Sequence, residues 1–145
     1  MKLYVNDHDY QLEDMVMHFV ANIVPDFQGY DFRHNKSTAL FDFTGLNKHG
    51  IIYVDIKVRD INPDKFNTYF ISADKVKRMR STEIPCYLVY YFEKPRIIRV
   101  YNLSKLPITP YDLKFIHKRA KTIQSKNVFC VPSGLTLEEY ETVNL

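Results

Sequence analysis

The run from Ile51 to Val58, IIYVDIKV, reads as a β-strand with one aliphatic face and one charged face. Side chains alternate between the two faces of a strand, so a single face receives all of the following aliphatic residues: Ile52, Val54, Ile56 and Val58. Asp55 and Lys57 share the opposite face, about 6.6 Å apart along the strand. The aliphatic face requires a hydrophobic core, and the charged pair is then either an exposed ion pair or part of a functional site.

The composition is that of a globular chain forming one domain over residues 1–145, with 46% hydrophobic and 26% charged residues and no linker or repeat. No apolar segment is long enough for a signal peptide or a membrane span, which predicts a cytoplasmic protein without membrane contact. Cys86 and Cys130 lie in apolar runs, and two isolated thiols of this kind indicate reduced, buried cysteines.

Periodicity and turn residues predict an α/β (α+β) fold with a central mixed β-sheet flanked by helices. The first helix is expected to bury an apolar stripe of Leu12, Met15, Phe19 and Ile23. Thr109 and Pro110 are typical of a helix start. The predicted elements are a helix at 11–24, strands at 38–45, 51–58 and 66–72, a helix at 73–80, strands at 86–92 and 96–103, a helix at 110–121, a strand at 127–131 and a terminal helical turn.

The predicted hairpin of strands 38–45 and 51–58 places a second acid near the charged pair. Asp42 is a polar exception in an apolar strand, and the turn at 46–50 is short enough to bring Asp42 and Asp55 together beside Lys57. Two adjacent carboxylates are costly unless a cation lies between them. Oxygen ligands favour Mg²⁺ or Mn²⁺, and a neighbouring lysine can orient or deprotonate a water. These residue types suit metal-assisted hydrolysis of a phosphodiester bond.

Asp42 followed by Asp55-Ile56-Lys57 on the next strand resembles the motif of the PD-(D/E)XK, or restriction-endonuclease-like, nuclease superfamily. The resemblance covers about residues 11–103 and implies an αβββαβ core and a metal-dependent nuclease. It implies that Asp42 and Asp55 bind the metal together with the backbone carbonyl of Ile56. It also implies that Lys57 assists the attacking water.

The same resemblance implies two further functional residues on helices. Family members often carry an acid on the first helix, where Glu13 is the better match and Asp14 is adjacent. Many also carry a lysine on the helix after the third strand, which corresponds to Lys75, with Lys77 as the alternative.

The chain departs from the family pattern in the residue before Asp42, which is Phe41 instead of proline. Asp31 is an alternative first carboxylate. A second Asp-Leu-Lys tripeptide at Asp112–Lys114 falls in the predicted helix at 110–121, where a first-turn acid is explained by the helix dipole.

Basic residues are concentrated in residues 73–127, which carry 13 Lys and Arg against 4 Asp and Glu. Such a segment indicates a polyanionic partner, most commonly nucleic acid. For the nuclease hypothesis, DNA is expected as the substrate rather than RNA. A merely solvated charged face is the alternative. The candidate nucleic-acid-binding residues, on the two later helices, are Lys75, Lys77, Arg78, Lys114, Lys118 and Lys121.

Three classes of function remain open from the sequence. The first is a Mg²⁺-dependent or Mn²⁺-dependent nuclease, whose small size favours an origin in a phage or mobile element. The second is a catalytically inactive nucleic-acid-binding or assembly module on the same fold. The third is a metal-free protein-interaction domain. A homo-oligomer or larger complex would supply the recognition surface that one small domain lacks.

Overall fold

Two α-helices and nine strands form the part of the chain that the computed structural model describes, residues 7–36, 39–66, 68–117, 122–134, 136 and 138–142. The side chains of residues 7–9, 111–117 and 122–127 are outside this description. The helices are α1 (Asp7–Ile23) and α2 (Ala73–Thr82). The strands are β1 (Asp31–His34), β2 (Phe43–Asn47), β3 (Gly50–Arg59), β4 (Thr68–Ser72), β5 (Cys86–Phe92), β6 (Ile97–Asn102), β7 (Thr109–His117), β8 (Thr122–Pro132) and β9 (Glu138–Glu141).

Six strands form a central mixed sheet in the order β1-β2-β3-β5-β6-β9. β3 and β5 are parallel, and the other neighbours are antiparallel. Parallel neighbours need a crossover connection, and β4 and α2 supply it because they lie between β3 and β5 in the chain. A second, three-stranded sheet has the order β4-β8-β7. The predicted α/β (α+β) class, with a central mixed sheet and flanking helices, is confirmed.

The two faces of β3 enter two different hydrophobic clusters. Ile52, Val54 and Ile56 pack with α1 in one cluster. Tyr53 packs on the opposite face, where the cluster includes α2 and residues of the second sheet. Each fully buried aliphatic side chain contributes about 1.5–3 kcal/mol to stability. The predicted alternation is therefore present, and Asp55 and Lys57 project towards α2.

The strands before α2 differ from the prediction in three places. β1 was not predicted, and β2 begins at Phe43, so the predicted strand 38–45 starts too early and Asp42 lies just before a strand. The predicted third strand, 66–72, corresponds to β4, which pairs with β8 instead of extending the hairpin. The three strands that follow α1 in the central sheet are consequently β1, β2 and β3.

The predicted apolar stripe of α1 is half right, because Leu12 and Phe19 pack against the core but Met15 and Ile23 do not. Met15 and Ile23 are 46% and 38% exposed, whereas Val16, Val20 and Val24 are completely buried. The buried face also contains Glu13, which is 6% exposed. A hydrophobic pattern assigns a glutamate to the solvent side, so it cannot find a helix face that buries one.

The predicted helix at 110–121 is wrong over residues 110–117, because β7 occupies Thr109–His117 and pairs with β8. Residues 118–121 are outside the described part of the chain. β7 is an edge strand of the second sheet. Proline is tolerated on an edge because no ladder bond is needed from its nitrogen, so Pro110 opens a strand here. The predicted strand at 127–131 is part of the longer β8, and the predicted terminal helical turn is replaced by β9.

Cys86 and Cys130 are both free thiols. Cys86 is buried in the core, and burial raises the pKa of its thiol to about 12, which keeps the group protonated and unreactive. Neither of the two described α-helices is long and apolar enough to cross a membrane.

Candidate metal and active site

The β2–β3 hairpin brings Asp42 and Asp55 together at the end of β2. The pairing runs from Asn47 opposite Gly50 to Phe43 opposite Val54, and the same register places Asp42 beside Asp55. Beyond Phe43, β3 has no backbone partner from β2. Asp42 Oδ2 accepts a 2.7 Å hydrogen bond from the Ile56 N–H, replacing the missing carbonyl of β2. This contact holds the Asp42 carboxylate over the continuing strand.

The Asp55 carboxylate is completely buried and only half satisfied by hydrogen bonds. Its Oδ2 lies 2.6 Å from Lys75 Nζ and 3.3 Å from Lys57 Nζ. Its Oδ1 is buried and has no hydrogen-bond partner among the described residues. An unsatisfied buried oxygen costs about 1–3 kcal/mol, and more when it is charged. The unsatisfied Asp55 oxygen therefore destabilises the folded protein, and a bound cation would offset this cost.

Burial is the main electrostatic influence on Asp55, and it raises the pKa of this carboxyl above the ordinary value. The positive charges of Lys57 and Lys75 lower the pKa, while Asp42 raises it through its negative charge and through the contact between the two carboxyl groups. A positive ion between the two acids would act in the same direction as the lysines. Burial therefore outweighs the two lysines, and a bound cation would further favour the ionised carboxylate.

These residues fit a small hard cation. Asp42 and Asp55 supply carboxylate oxygens, and the Ile56 carbonyl faces the same strand edge as its N–H, towards Asp42. The described residues contain no group of three or more His, Cys, Asp or Glu able to hold a metal. Mg²⁺ suits such a site because it is commonly held by one or two carboxylates and keeps several of its waters.

Lys75 reaches Asp55 because of how α2 begins. The Ser72 hydroxyl caps the helix by accepting the Lys75 N–H at 3.3 Å, and Val76 and Met79 are buried beneath the helix. The Lys75 side chain is only 11% exposed. Lys75 thus faces inward, not outward as expected for a nucleic-acid-binding residue. It belongs to a group that we call the acid cluster, formed by Asp42, Asp55, Lys57 and Lys75.

Glu13 is buried on α1 but contacts a histidine. Its Oε1 lies 3.5 Å from His34 Nε2, while the other ring nitrogen of His34 lies 2.7 Å from Asp14 Oδ1. The imidazole is stacked between Tyr10 and Phe43, with ring centroids 3.8 and 4.2 Å away. The structure does not assemble Glu13 with Asp42 and Asp55 into a three-acid ligand set. The sequence carried no signal for this His34 contact.

The alternative carboxylates lie elsewhere. Asp31 is exposed at the start of β1, paired with Leu46 at the far end of the hairpin from Asp42 and 3.7 Å from Arg33. Asp112 lies in β7, so a helix dipole does not explain it.

The remaining basic candidates fall into two groups. Lys77 and Arg78 are exposed on α2, as predicted. The predicted helical ridge of Lys114, Lys118 and Lys121 is wrong for Lys114, which lies in β7 opposite Ser125. Lys118 and Lys121 are outside the described residues.

A cavity of about 350 Å³ lies next to the acid cluster and was not predicted. It opens between the end of the β2–β3 hairpin and α2. Its described lining is Asn35, Ala39, Leu40, Phe41, Thr44, Tyr53 and Arg78.

No family model and no curated protein matches this chain. Among solved structures, it is similar to Archaeoglobus fulgidus Hjc, a Holliday junction resolvase from an archaeal hyperthermophile. The TM-score is 0.49 and the sequence identity 16%, over 86% of this chain and 94% of that chain.

Proposed function

We propose that this protein is a metal-dependent nuclease that hydrolyses phosphodiester bonds in DNA. The proposal depends mainly on one observation. Asp55 Oδ1 is buried beside Asp42 and Lys57 and has no hydrogen-bond partner among the described residues. An ion pair serving stability alone would satisfy both oxygens, because leaving one buried and unsatisfied is costly. The resemblance of the Asp42 and Asp55-Ile56-Lys57 motif to PD-(D/E)XK nucleases supports the same function.

In this proposal Asp42, Asp55 and the Ile56 carbonyl hold a Mg²⁺ or Mn²⁺ ion. The ion, when bound, would polarise the phosphate and stabilise the charge that develops during hydrolysis. Lys57 is 23% exposed at the edge of the cluster, so its ammonium can face both Asp55 and solvent. Lys57 would orient the attacking water and offset negative charge on the phosphate. Lys75 positions Asp55 through the 2.6 Å contact.

The exposed Lys77 and Arg78 would contact the DNA backbone on the α2 side of the site. Contacts of this type give an affinity that falls as salt concentration rises, without sequence preference. Each substitution to glutamine is therefore expected to reduce the salt dependence of DNA binding by about one phosphate contact.

The test is a cleavage assay of the full chain on supercoiled plasmid, linear duplex and single-stranded DNA. Each substrate is incubated with Mg²⁺, Mn²⁺ or EDTA. We expect cleavage of at least one substrate with a metal ion and none with EDTA. Equal cleavage in EDTA would refute the metal requirement, and no cleavage under any condition would refute the nuclease.

A catalytically inactive DNA-binding module is the second candidate. It is favoured by the absence of a third acidic ligand among the described residues, since Glu13 contacts His34. This candidate predicts that the wild type binds all three DNA substrates and cuts none. The cleavage assay, run beside a binding titration, separates it from the nuclease.

Lys57→Ala is expected to reduce the cleavage rate by about 10²–10⁴-fold, the usual contribution of a positioned proton-transfer group. Binding of Mn²⁺ should change little, because Lys57 is not one of the proposed ligands. The matched control is Lys48→Ala, an exposed lysine in the turn of the same hairpin. A Lys57→Ala protein that cleaves within threefold of the wild type would remove Lys57 from the mechanism.

A further inference from the structure

The cavity beside the acid cluster has a rigid aromatic wall. Phe41 and Tyr53 stack in parallel, with ring centroids 5.1 Å apart and an angle of 7° between the planes. Phe41 is only 4% exposed, whereas Tyr53 is half-buried and lines the cavity. Because the buried Phe41 ring packs against one face of the Tyr53 ring, the Tyr53 ring is held in a fixed orientation.

Hydrogen bonds hold the polar part of the wall in place. The Thr44 hydroxyl donates to Asn35 Oδ1 at 2.9 Å, and Asn35 Nδ2 donates to the Phe41 carbonyl at 2.9 Å. The Thr44 oxygen can still accept a hydrogen bond from a ligand N–H. Arg78 is the one charged residue in the described lining. The cavity thus combines an aromatic ring, a hydrogen-bond acceptor and a positive charge.

Three residues of the lining are near members of the acid cluster in the chain or on the same element. Phe41 immediately precedes Asp42, and Tyr53 lies on the same face of β3 as Asp55, about 6.6 Å away along the strand. Arg78 follows Lys75 by three residues, close to one turn of α2. The cavity therefore lies close to the proposed site of hydrolysis, although its described lining contains no member of the acid cluster.

We propose that this cavity binds one unpaired nucleotide adjacent to the phosphate that is cleaved, an inference that rests on the proposed nuclease function. The base stacks on Tyr53, and the Arg78 guanidinium contacts the nucleotide's phosphate or its base. A volume of about 350 Å³ is near the lower end of the roughly 300–1,000 Å³ range of ligand pockets and suits a single nucleoside. A base within a duplex is stacked on both faces, so only an unpaired or extruded base can enter. The preferred substrate class is accordingly DNA with unpaired nucleotides, such as a flap, an overhang or a branch.

The experiment uses DNA duplexes with a short single-stranded overhang that contains 2-aminopurine, a fluorescent base quenched by stacking. A fully paired duplex with the same fluorophore is the reference substrate. Fluorescence and binding affinity are measured with EDTA, so that no metal-dependent cleavage takes place. The variants are Tyr53→Leu, Tyr53→Phe and Arg78→Gln. The control is Arg80→Gln, which removes the same charge from α2 at a side chain that lies over Phe129, 5.1 Å from the ring centroid.

We expect the wild type to bind the overhang more tightly than the paired duplex and to quench its 2-aminopurine. Tyr53→Leu should weaken overhang binding about tenfold and abolish the quenching, since a base–aromatic stack contributes at this level. Tyr53→Phe should behave as the wild type. Arg78→Gln should weaken binding of the overhang at least threefold more than binding of the paired duplex, a difference that Arg80→Gln should not show.

Unchanged quenching in Tyr53→Leu, or an Arg78→Gln protein that loses affinity equally for the overhang and the paired duplex, would overturn the pocket while leaving the nuclease proposal intact. Conversely, a wild type that quenches the overhang but never cleaves DNA would overturn the nuclease and leave the pocket. If Tyr53→Leu is shown to be unfolded by circular dichroism, the comparison of the two arginine variants decides, because both residues are exposed on α2.

Discussion

Replacing Asp55 with asparagine is expected to reduce DNA cleavage at least about 10³-fold and, in EDTA, to make the protein more stable at pH 7. The loss of activity corresponds to about 4 kcal/mol of transition-state stabilisation, in the range expected when a ligand of a catalytic metal is lost. The gain in stability follows because burial disfavours the ionised Asp55 carboxylate, whereas an amide needs no charge. The amide oxygen can still accept a hydrogen bond from Lys75, so the lysine keeps a partner. A single substitution is thus expected to lower the cleavage rate and, at the same time, to raise the stability of the folded protein.

The gain in stability depends on pH in a defined direction. Because the pKa of Asp55 is raised in the folded protein, the folded state binds the proton more tightly than the unfolded state. The wild type therefore loses stability as the pH rises above the ordinary value of 3.8 through the folded-state pKa. The Tm of Asp55→Asn should exceed that of the wild type at pH 7, and the difference should shrink towards pH 4.5.

Asp60→Asn is the matched control, because Asp60 is exposed just after the same strand. Its cleavage rate and Tm should stay close to those of the wild type. Thermal unfolding in EDTA between pH 4.5 and pH 8 provides the stability measurement. An Asp55→Asn protein that melts below the wild type at every pH would show that the ionised carboxylate stabilises the fold.

Lys75→Met is expected to destabilise the protein by about 3 kcal/mol at pH 8, because it removes the closest partner of a buried carboxylate. The methionine fills similar space, so the loss is electrostatic and not a cavity effect. For a chain of this size, a loss of about 3 kcal/mol corresponds to a fall in Tm of roughly 6–12 °C. At pH 5 the loss should be smaller, because Asp55 can then be protonated instead of remaining unpaired.

Lys77→Met serves as the control, since Lys77 lies two residues further along α2 and is exposed. It should change the Tm by no more than about 2 °C, as expected for a surface substitution. Denaturant unfolding at pH 5 and pH 8 measures both variants. Equal stability of Lys75→Met and Lys77→Met at pH 8 would mean that the Lys75–Asp55 contact contributes nothing to the fold.

The hairpin was predictable because its information is local. The alternation in β3 distinguishes its two faces, and the short turn sets the register that brings Asp42 to Asp55. The exact start of β2 was not predictable, because Asp42 bonds to Ile56 through its side chain instead of pairing as a strand residue. The two acids were therefore correctly expected to meet, although the predicted strand boundary was wrong.

The second sheet was not predictable because its pairing is long-range. β4 pairs with β8, which is far away in the chain, and no local pattern encodes this contact. Pro110 is a second example, because a proline is compatible both with the start of a helix and with an edge strand. The tertiary pairing with β8 decides between these two structures.

The helical contributions to the site were the least predictable. The resemblance pointed to both Glu13 and Lys75, but the structure joins only Lys75 to Asp55. Glu13 is buried against His34, a contact between α1 and β1 that depends on a strand the sequence pattern did not indicate. The strand register fixes the relative positions of residues on one hairpin. The relative positions of residues on separate helices depend on the complete fold.

Calorimetric titration of the metal-free protein with Mn²⁺ tests the proposed ion site most directly, because it depends on neither a DNA substrate nor catalysis. We expect one saturable site in the wild type, with affinity at least about tenfold lower in Asp42→Asn and in Asp55→Asn. Lys57→Ala should bind within threefold of the wild type. A wild type that binds no Mn²⁺, or an Asp55→Asn protein that binds it equally well, would show that the two acids do not hold a metal ion.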